Sequence, residues 1–163
     1  MIRGTRLLKL KTIVVDRTRS PFLKEGESFY LKRLRRYVKM EWIEVKPAKI
    51  KKGRSDKEIL ATESGNIDQK LAPRDYLVPL HSAGHPFNSE ELAGWLDGLS
   101  ARTVGCVTFV IGGPLGLSQD LLDRGQKILS LSHLTLTHEM ARLVLLEQLY
   151  RAFTILRGEK YHK

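Results

Sequence analysis

The segment Val107–Ser118 constrains the fold of this chain more than any other. A run of β-branched and aromatic residues stops abruptly at Gly112 and Gly113, and a further glycine follows at Gly116. The pattern predicts a buried strand, a tight turn and a helix that is capped by Ser118. Because bare glycines let a ligand lie close to the backbone, the turn is a candidate floor of a binding site. A turn that serves packing alone is the alternative, and the segment by itself leaves both open.

The glycine spacing disfavours the two common phosphate-binding loops. A P-loop needs Gly-Lys followed by Ser or Thr, and no lysine follows Gly116 closely enough. The dinucleotide fingerprint needs glycines at G-x-G-x-x-G, and Gly112, Gly113 and Gly116 do not have that spacing. If the turn binds a ligand, these two phosphate-binding modes are therefore not expected.

Composition indicates one basic domain. The chain has 163 residues, 42% of them hydrophobic, which is enough for a single core without disulfides. The formal net charge of +10 predicts attraction to phosphate-rich partners, nucleic acid first, while an anionic membrane or a merely solvated surface are the alternatives. The single cysteine and five dispersed histidines predict neither disulfide nor metal site. With no membrane-spanning run and no secretory signal, a cytoplasmic protein is expected.

Strand patterns alternate with helix signals along the chain. The predicted strands span residues 10–15, 40–45, 76–80, 107–111 and 134–136. The predicted N-caps are Ser20, Ser55, Asn88 and Ser118. The helix after Ser118 is expected to run to about Leu129. This alternation predicts an α/β fold with a parallel sheet and helices on both faces. Residues 10–163 are expected to form this single domain, after a basic extension of residues 1–9.

Two segments concentrate cations. In the first helix Phe22, Phe29 and Leu34 recur at helical spacing and predict a buried face, with cations at the remaining positions. The segment 46–54 then carries five cations in nine residues. Such a loop can contact the phosphates of RNA or DNA, and a mobile, solvated loop is the alternative.

The most strongly helical segment spans residues 139–156. Its predicted polar face is formed by Glu147, Gln148, Arg151 and Thr154. Arg142 falls on the opposite side among leucines, where a guanidinium must be paired or face a ligand or partner subunit. An internal salt bridge or a snorkelling side chain is the structural alternative for Arg142, and helix capping is the alternative for His138, one turn earlier. The wide apolar band of this helix predicts a homodimer.

Several motifs together resemble one family. They are Phe109–Ser118 (FVIGGPLGLS), Leu131–His138 (LSHLTLTH), Arg142, Glu147–Ala152 (EQLYRA) and Tyr161 with His162. With these motifs the chain resembles the small bacterial RlmH-type methyltransferases of the SPOUT superfamily, which methylate N3 of a pseudouridine in large-subunit (23S) rRNA. The resemblance covers nearly the whole chain from about Leu10. It implies a C-terminal trefoil knot, a rare exception to the unknotted rule, and a homodimer that binds S-adenosyl-L-methionine in the knot.

The resemblance also implies site residues. The implied cofactor contacts are Leu80, Gly112, Leu131, Ser132, His133, Leu134, Thr135 and Leu136. For catalysis, His138 or His162 is expected to act as the base and Arg142 to stabilise the deprotonated nucleobase. Tyr161 is expected to contact the substrate by stacking, with a frayed terminus as the alternative.

The chain departs from the family pattern at two places. Asp16 and Arg17 stand where the family usually has Gly-Lys, and His81 stands where it usually has an aspartate. Two other functions stay open at this stage. One is a non-catalytic RNA-binding or ribosome-associated protein, and the other is a SPOUT methyltransferase that acts at a different RNA position, such as a ribose 2′-hydroxyl.

Overall fold

Parallel strands form the centre of the molecule. The computed structural model describes residues 8–102 and 104–162. In these ranges the strands are β1 (Lys9–Val15), β2 (Lys39–Val45), β3 (Asp75–Pro86), β4 (Cys106–Ile111) and β5 (Leu129–Ser130). They lie in the order β2-β1-β4-β3-β5, and every neighbouring pair is parallel. The carboxyl ends of the strands therefore share one edge of the sheet, called the carboxyl edge below.

Helices cover both faces of this sheet. They are α1 (Pro21–Leu34), α2 (Asp56–Asp68), α3 (Ser89–Ala101), α4 (Gln119–Asp123) and α5 (His138–Leu156). The helices α1, α3 and α5 pack over the larger core, which includes Val14 of β1 and Leu149 of α5. The helices α2 and α4 pack over a smaller core on the other face, which includes Val15 and Ile67. The predicted parallel α/β sheet with helices on both faces is thus confirmed, while the trefoil knot stays a prediction.

The helices begin where their capping residues predict. Side-chain oxygens of Ser20, Ser55, Asn88 and Ser118 accept the expected backbone N–H bonds. Ser55 and Asn88 also form reciprocal capping boxes with the glutamates three residues later. At the start of α5 the cap is Thr137, so His138 is the first helical residue rather than the cap.

The segment after α4 differs from the prediction. The helix ends at Asp123 instead of near Leu129, and the last strand is Leu129–Ser130 instead of residues 134–136. Gln126 explains both differences, because its N–H donates to the Leu77 carbonyl at 2.9 Å and its side-chain oxygen accepts the Leu77 N–H at 2.6 Å. The chain is therefore attached to β3 soon after α4, and strand pairing begins earlier than predicted.

Two helix faces also differ from the prediction. Phe22 and Phe29 are 72% and 46% exposed, so they do not form the buried face of α1. The buried residues of α1 are Leu23, Glu27 and Leu34. The helix instead meets α5 at Gly26, where an added Cβ would lie 2.8 Å from Leu143 Cδ1. Thr154, predicted to be solvated, is fully buried, and its hydroxyl donates to a backbone carbonyl one turn earlier at 2.7 Å.

At the N-terminus, β1 begins at Lys9, one residue before the predicted start, and Leu8 is buried. Residues 1–7 of the predicted extension lie outside the described residues, and the division into extension and domain stays a prediction. Among the helices of the described ranges, none combines the length and apolar content required to traverse a bilayer.

Candidate active site at the carboxyl edge of the sheet

A cavity of about 630 Å³ opens at the carboxyl edge, between the ends of β3 and β4 and the segment that leads into α5. Its walls are Leu80, His81 and Ser82 from β3, Ile111 to Gly116 after β4, and residues 129, 131, 132, 134–138 and 141. The wall combines aliphatic side chains, hydroxyl groups and exposed backbone. This is the position where parallel α/β sheets bind ligands, because loops diverge from neighbouring strand ends and leave a crevice.

The glycine turn after β4 forms one wall of the cavity. Gly116 has a positive φ of 78°, and its N–H donates to the Gly113 carbonyl at 2.9 Å. An added Cβ on Gly112 would overlap the carbonyl of Gly116. The backbone of the turn therefore folds back onto Gly112, and this tight packing requires glycine whether or not a ligand is bound.

The opposite wall is a loop that its own serines hold in shape. Ser130 Oγ lies 3.0 Å from the Ser82 carbonyl and 3.1 Å from the Ser132 carbonyl. The Leu134 N–H donates to Ser132 Oγ at 2.9 Å, which leaves the Leu134 side chain 76% exposed at the rim. These bonds all lie within the protein, so the wall needs no ligand contact to hold its shape.

The cavity brings together most of the residues expected to bind a cofactor. Seven of the eight line it, namely Leu80, Gly112, Leu131, Ser132, Leu134, Thr135 and Leu136. The eighth, His133, is exposed and is not part of the wall. Sequence reasoning missed Ser82 and Leu129 as wall residues, because β3 was predicted to end at Leu80 and the last strand was predicted at residues 134–136. It also missed Ala141, which no local pattern marks.

Of the residues expected to take part in catalysis, only His138 lines the cavity. Burial, and next the nearby Arg142 guanidinium, hold the pKa of His138 below its usual range. At neutral pH the imidazole is therefore uncharged and able to accept a proton.

Arg142 is fully buried, one turn beyond His138, and does not line the cavity. Its Nη1 donates to Thr18 Oγ1 at 2.9 Å and its Nη2 to the Val15 carbonyl at 2.5 Å. Thr18 in turn donates to the carboxylate of Glu27, which is also buried. Within the described residues, no carboxylate pairs directly with Arg142 and its Nε has no hydrogen-bond partner. The guanidinium thus ties α5 to the end of β1 through a bridging hydroxyl.

Glu27 and Thr18 are site-supporting residues that the sequence pattern did not identify. Burial raises the pKa of the Glu27 carboxyl, while the Thr18 hydrogen bond and Arg142 act in the opposite direction. In the sequence, nothing distinguishes Glu27 from the other polar residues of α1. Only the packing of α1 against α5 reveals that it faces inward.

The first departure from the family pattern has a structural counterpart. Asp16 adopts a positive φ of 68°, a conformation that suits the family's usual glycine and that aspartate tolerates better than most residues. Its carboxylate accepts the Arg17 N–H at 2.8 Å and pairs with Arg19 at 3.0 Å. The second departure, His81, lines the cavity, and its Nδ1 accepts the Ala83 N–H at 3.1 Å.

The C-terminal tail lies far from the cavity of its own chain. The Tyr161 hydroxyl donates to Glu147 Oε1 at 3.2 Å, and its ring meets Tyr150 edge to face. His162 Nε2 lies 2.9 Å from Glu90, and its Nδ1 lies 3.4 Å from Arg151 Nη1. Arg151 is 13 residues beyond His138 on α5, or about 20 Å along the helix axis. His138 and His162 therefore do not meet within one chain.

The polar groups of the cavity carry little fixed charge. Neither lysine nor arginine occurs among the described wall residues. Within residues 8–102 and 104–162, histidine, cysteine and carboxylate side chains do not gather in threes close enough to hold a metal ion.

Comparison with known proteins places this geometry in a family. A family model described as "Predicted SPOUT methyltransferase" matches residues 8–162. A curated "Ribosomal RNA large subunit methyltransferase H" of Halothermothrix orenii is 41% identical over 159 residues, which cover 96% of this chain and 100% of that protein. A protein of the same name from Streptococcus pneumoniae (strain CGSP14) is 40% identical over the same shares of both chains.

Two solved structures share the fold. A probable methyltransferase from Bordetella pertussis Tohama I has a TM-score of 0.58 and 18% identity, covering 89% of this chain and 96% of that chain. A probable methylase family protein from Haemophilus influenzae Rd KW20 has a TM-score of 0.56 and 13% identity, covering 97% and 70%. Since the family model spans nearly all described residues and the curated relatives match along their full length, the chain belongs to the SPOUT methyltransferase family.

Proposed function

We propose that this protein uses S-adenosyl-L-methionine to methylate N3 of a pseudouridine in large-subunit rRNA on the ribosome. The observation that carries the proposal is the preformed cavity at the carboxyl edge with an uncharged imidazole, His138, in its wall. The family indicates the reaction class, and the names of the curated relatives indicate large-subunit rRNA as the substrate. The nucleotide and its N3 atom follow from the resemblance of the motifs.

The wall residues fit this methyl donor. The cavity volume of about 630 Å³ is in the range of small-molecule sites. Leu80, Leu131 and Leu136 offer apolar contact to an adenine ring, and the Ser82 and Thr135 hydroxyls offer partners for polar groups. A wall without fixed cations in its described part also suits a positively charged sulfonium. When bound, S-adenosyl-L-methionine supplies an electrophilic methyl group whose leaving group is a neutral thioether.

The protein's own chemical task is then to position the nucleobase and remove its N3 proton. His138 is the described residue placed to do this, because it lines the cavity and its lowered pKa keeps it unprotonated near pH 7. Arg142 is too deeply buried in one chain to touch a substrate, so we assign it a positioning role. It holds the β1–α1 connection against the first turns of α5, where His138 lies.

The active unit is proposed to be a homodimer formed through α5. Met140 and Val144 are only partly buried and lie one turn apart on this helix. An antiparallel second copy of α5 against this face brings its C-terminal tail toward the cavity. Such a pairing overcomes the separation of about 20 Å within one chain and places Tyr161 and His162 beside the substrate of the other subunit.

A protein with this substrate is expected to work in the cytoplasm.

The decisive experiment combines a measurement of cofactor binding with a measurement of methyl transfer. Purified protein is titrated with S-adenosyl-L-methionine by calorimetry and then assayed for tritiated methyl transfer to ribosomes that carry or lack the pseudouridine. Binding and transfer to pseudouridine-containing ribosomes alone are expected, and mass spectrometry is expected to place the methyl group on N3. Equal transfer to both ribosomes, or a methyl group on a ribose, contradicts the proposed nucleotide. RNA binding without cofactor affinity indicates a non-catalytic protein.

A further inference from the structure

The segment Lys46–Arg54 is an ordered structure rather than a loose loop. The Lys46 carbonyl accepts from Asn66 of α2 at 2.9 Å, and the Ala48 N–H donates to Glu63 at 3.1 Å. Arg54 closes the segment by donating to the Lys49 carbonyl at 3.2 Å and to Thr62 at 3.0 Å. These bonds attach the segment to α2 near both of its ends, so the cluster of cations lies beside this helix.

The segment and α2 enclose a cleft of about 610 Å³ that is lined by Lys46, Lys49, Lys51, Lys52 and Arg54. In the described part of the chain, the four lysines form no ion pair within 4.0 Å. The one acidic wall residue, Glu58, is engaged by the backbone N–H of Ser55 at 2.8 Å as part of the capping box. The cleft therefore carries a net positive charge, because five cations share its wall with one carboxylate.

The cleft lies on the same edge of the sheet as the cofactor cavity. Glu63 connects the two, because one carboxylate oxygen accepts the Ala48 N–H and the other would lie 3.6 Å from a Cβ on Gly113, in the cavity wall. The middle of α2 is thus level with the end of β4, and the first half of α2 projects beyond the carboxyl edge with the basic segment.

The strand order sets the distance between cleft and cavity. The basic segment follows β2, the cavity lies at β4 and β3, and β1 separates β2 from β4. At about 4.8 Å between strands, the two sites open about 10 to 15 Å apart. In a DNA duplex, successive phosphates of one strand rise by about 3.4 Å along the helix axis, so this separation corresponds to a few nucleotides of a nucleic-acid strand. Exposed Arg17 follows β1, the strand that lies between β2 and β4.

We infer that this cleft binds the sugar-phosphate backbone of the substrate RNA, a few nucleotides away from the base that enters the cavity. The inference rests on the proposed function and adds the surface that holds the RNA. Fixed cations beside a cofactor cavity suit a polyanion that must reach both sites at once. An anionic membrane would not need a cavity beside the cations, and membrane binding by the cleft is one of the outcomes that the test can give.

The test compares two triple variants of equal charge change in the full-length protein. The first is Lys49→Gln/Lys51→Gln/Lys52→Gln in the cleft. The matched control is Lys32→Gln/Arg35→Gln/Arg36→Gln, exposed cations at the far end of α1, near the opposite edge of the sheet. Methyl transfer to unmethylated ribosomes and calorimetric binding of S-adenosyl-L-methionine are measured for both variants and the wild type, at several salt concentrations.

The cleft variant is expected to raise KM for ribosomes by about tenfold or more, with kcat and cofactor affinity unchanged, and to reduce the slope of log affinity against log salt by about 2 to 3. The control is expected to leave KM within about twofold. Equal effects of both variants, or an unchanged KM in the cleft variant, overturn the inference. Binding to phosphatidylserine vesicles is measured as well, and a cleft variant that loses only this binding also overturns the inference. A wild type that transfers no methyl group contradicts the proposed function, and in that case direct binding to large ribosomal subunits still decides whether the cleft holds RNA.

Discussion

At the scale of single residues, the arrangement around Arg142 explains how a cation can sit in the core. Two of its guanidinium nitrogens donate to the Val15 carbonyl and the Thr18 hydroxyl. The Thr18 hydroxyl in turn donates to the Glu27 carboxylate and so bridges the two charged groups. A buried charge without such partners is very costly, so each member depends on the others. The arrangement joins α1, the end of β1 and α5 directly beneath the first turn of α5.

Replacing Arg142 by alanine is expected to lower the free energy of unfolding by about 3 kcal/mol, because it leaves the Val15 carbonyl and the Thr18 hydroxyl without their donor and the buried Glu27 carboxyl without its nearby cation. Urea unfolding measures the loss. Arg124→Ala is the control, since this half-exposed arginine pairs with Asp68 and Asp120 at the surface and is expected to cost less than about 1 kcal/mol. Equal losses in the two variants would show that Arg142 does not support the fold.

His138 gives a prediction about pH. Burial and Arg142 lower its pKa, so a base at this position is active above that pKa and is lost as the pH falls through it. We expect kcat/KM for methyl transfer to rise with pH through a midpoint below about 6.5, the ordinary value for histidine, and then to level off. The variant His138→Asn should lose both this limb and most activity, whereas exposed His85→Asn should keep both. A midpoint above about 6.5 would argue against His138 as the base.

At the scale of elements, the turn after β4 carries much of the site. Its backbone doubles back so closely that Gly112 has no room for a side chain. The same turn presents residues 111–116 to the cavity. Folding and the proposed cofactor binding therefore depend on the same backbone turn.

Gly112→Ala is expected to lower the free energy of unfolding by about 2 kcal/mol and also to lower the affinity for S-adenosyl-L-methionine. Both effects are expected because the turn must open to make room for the alanine side chain. Thermal unfolding and calorimetry measure the two effects. Gly65→Ala is the matched control, since nothing lies within 4 Å of a Cβ there in α2, and it should stabilise the protein by about 0.8 kcal/mol. Unchanged cofactor affinity in Gly112→Ala would exclude the turn from the binding site.

At the scale of the whole molecule, α5 is both the central helix of one face and the proposed contact between subunits. It packs between α1 and α3 through leucines, and its outer side carries the partly buried Met140 and Val144. The cavity lies at its start and the C-terminal tail lies against its far half. In the proposed dimer, two antiparallel copies of α5 bring these ends together.

Val144→Glu is expected to convert the dimer to monomer in analytical ultracentrifugation and to abolish methyl transfer, because a carboxylate is buried in the contact. Ile50→Glu, a change at an 86% exposed side chain, should leave the dimer intact. Mixing the inactive variants His138→Asn and His162→Ala provides a second measurement. Random exchange makes half of the dimers mixed, each with one complete site, so about a quarter of wild-type activity should return. If no activity returns, either both histidines belong to a site within one subunit or one of them is not part of the active site.

Local signals predicted much of the fold. The four N-caps, the strands around 10–15, 40–45 and 107–111, and the parallel α/β arrangement follow from hydrophobic periodicity and capping chemistry, which act over a few residues. The predicted position of the last strand and the predicted length of α4 were wrong, because both depend on how Gln126 contacts β3, some fifty positions earlier in the chain. The residues expected to bind the cofactor were identified from family motifs. No local pattern identified Ser82 or Ala141 as part of the cavity wall.

By itself, the sequence determined the fold class, the basic character, the glycine turn and the family to which the motifs point. These properties reside in composition and in short spacings, which any conformation of the chain retains. Only the tertiary structure decided that Arg142 is held by Val15 and Thr18 instead of facing the cavity, and that the tail lies about 20 Å from His138 in its own chain. It also decided that the basic segment is fixed on α2. Contacts between residues far apart in the chain exist only once the helices have packed on the sheet, because packing sets which side chains face one another.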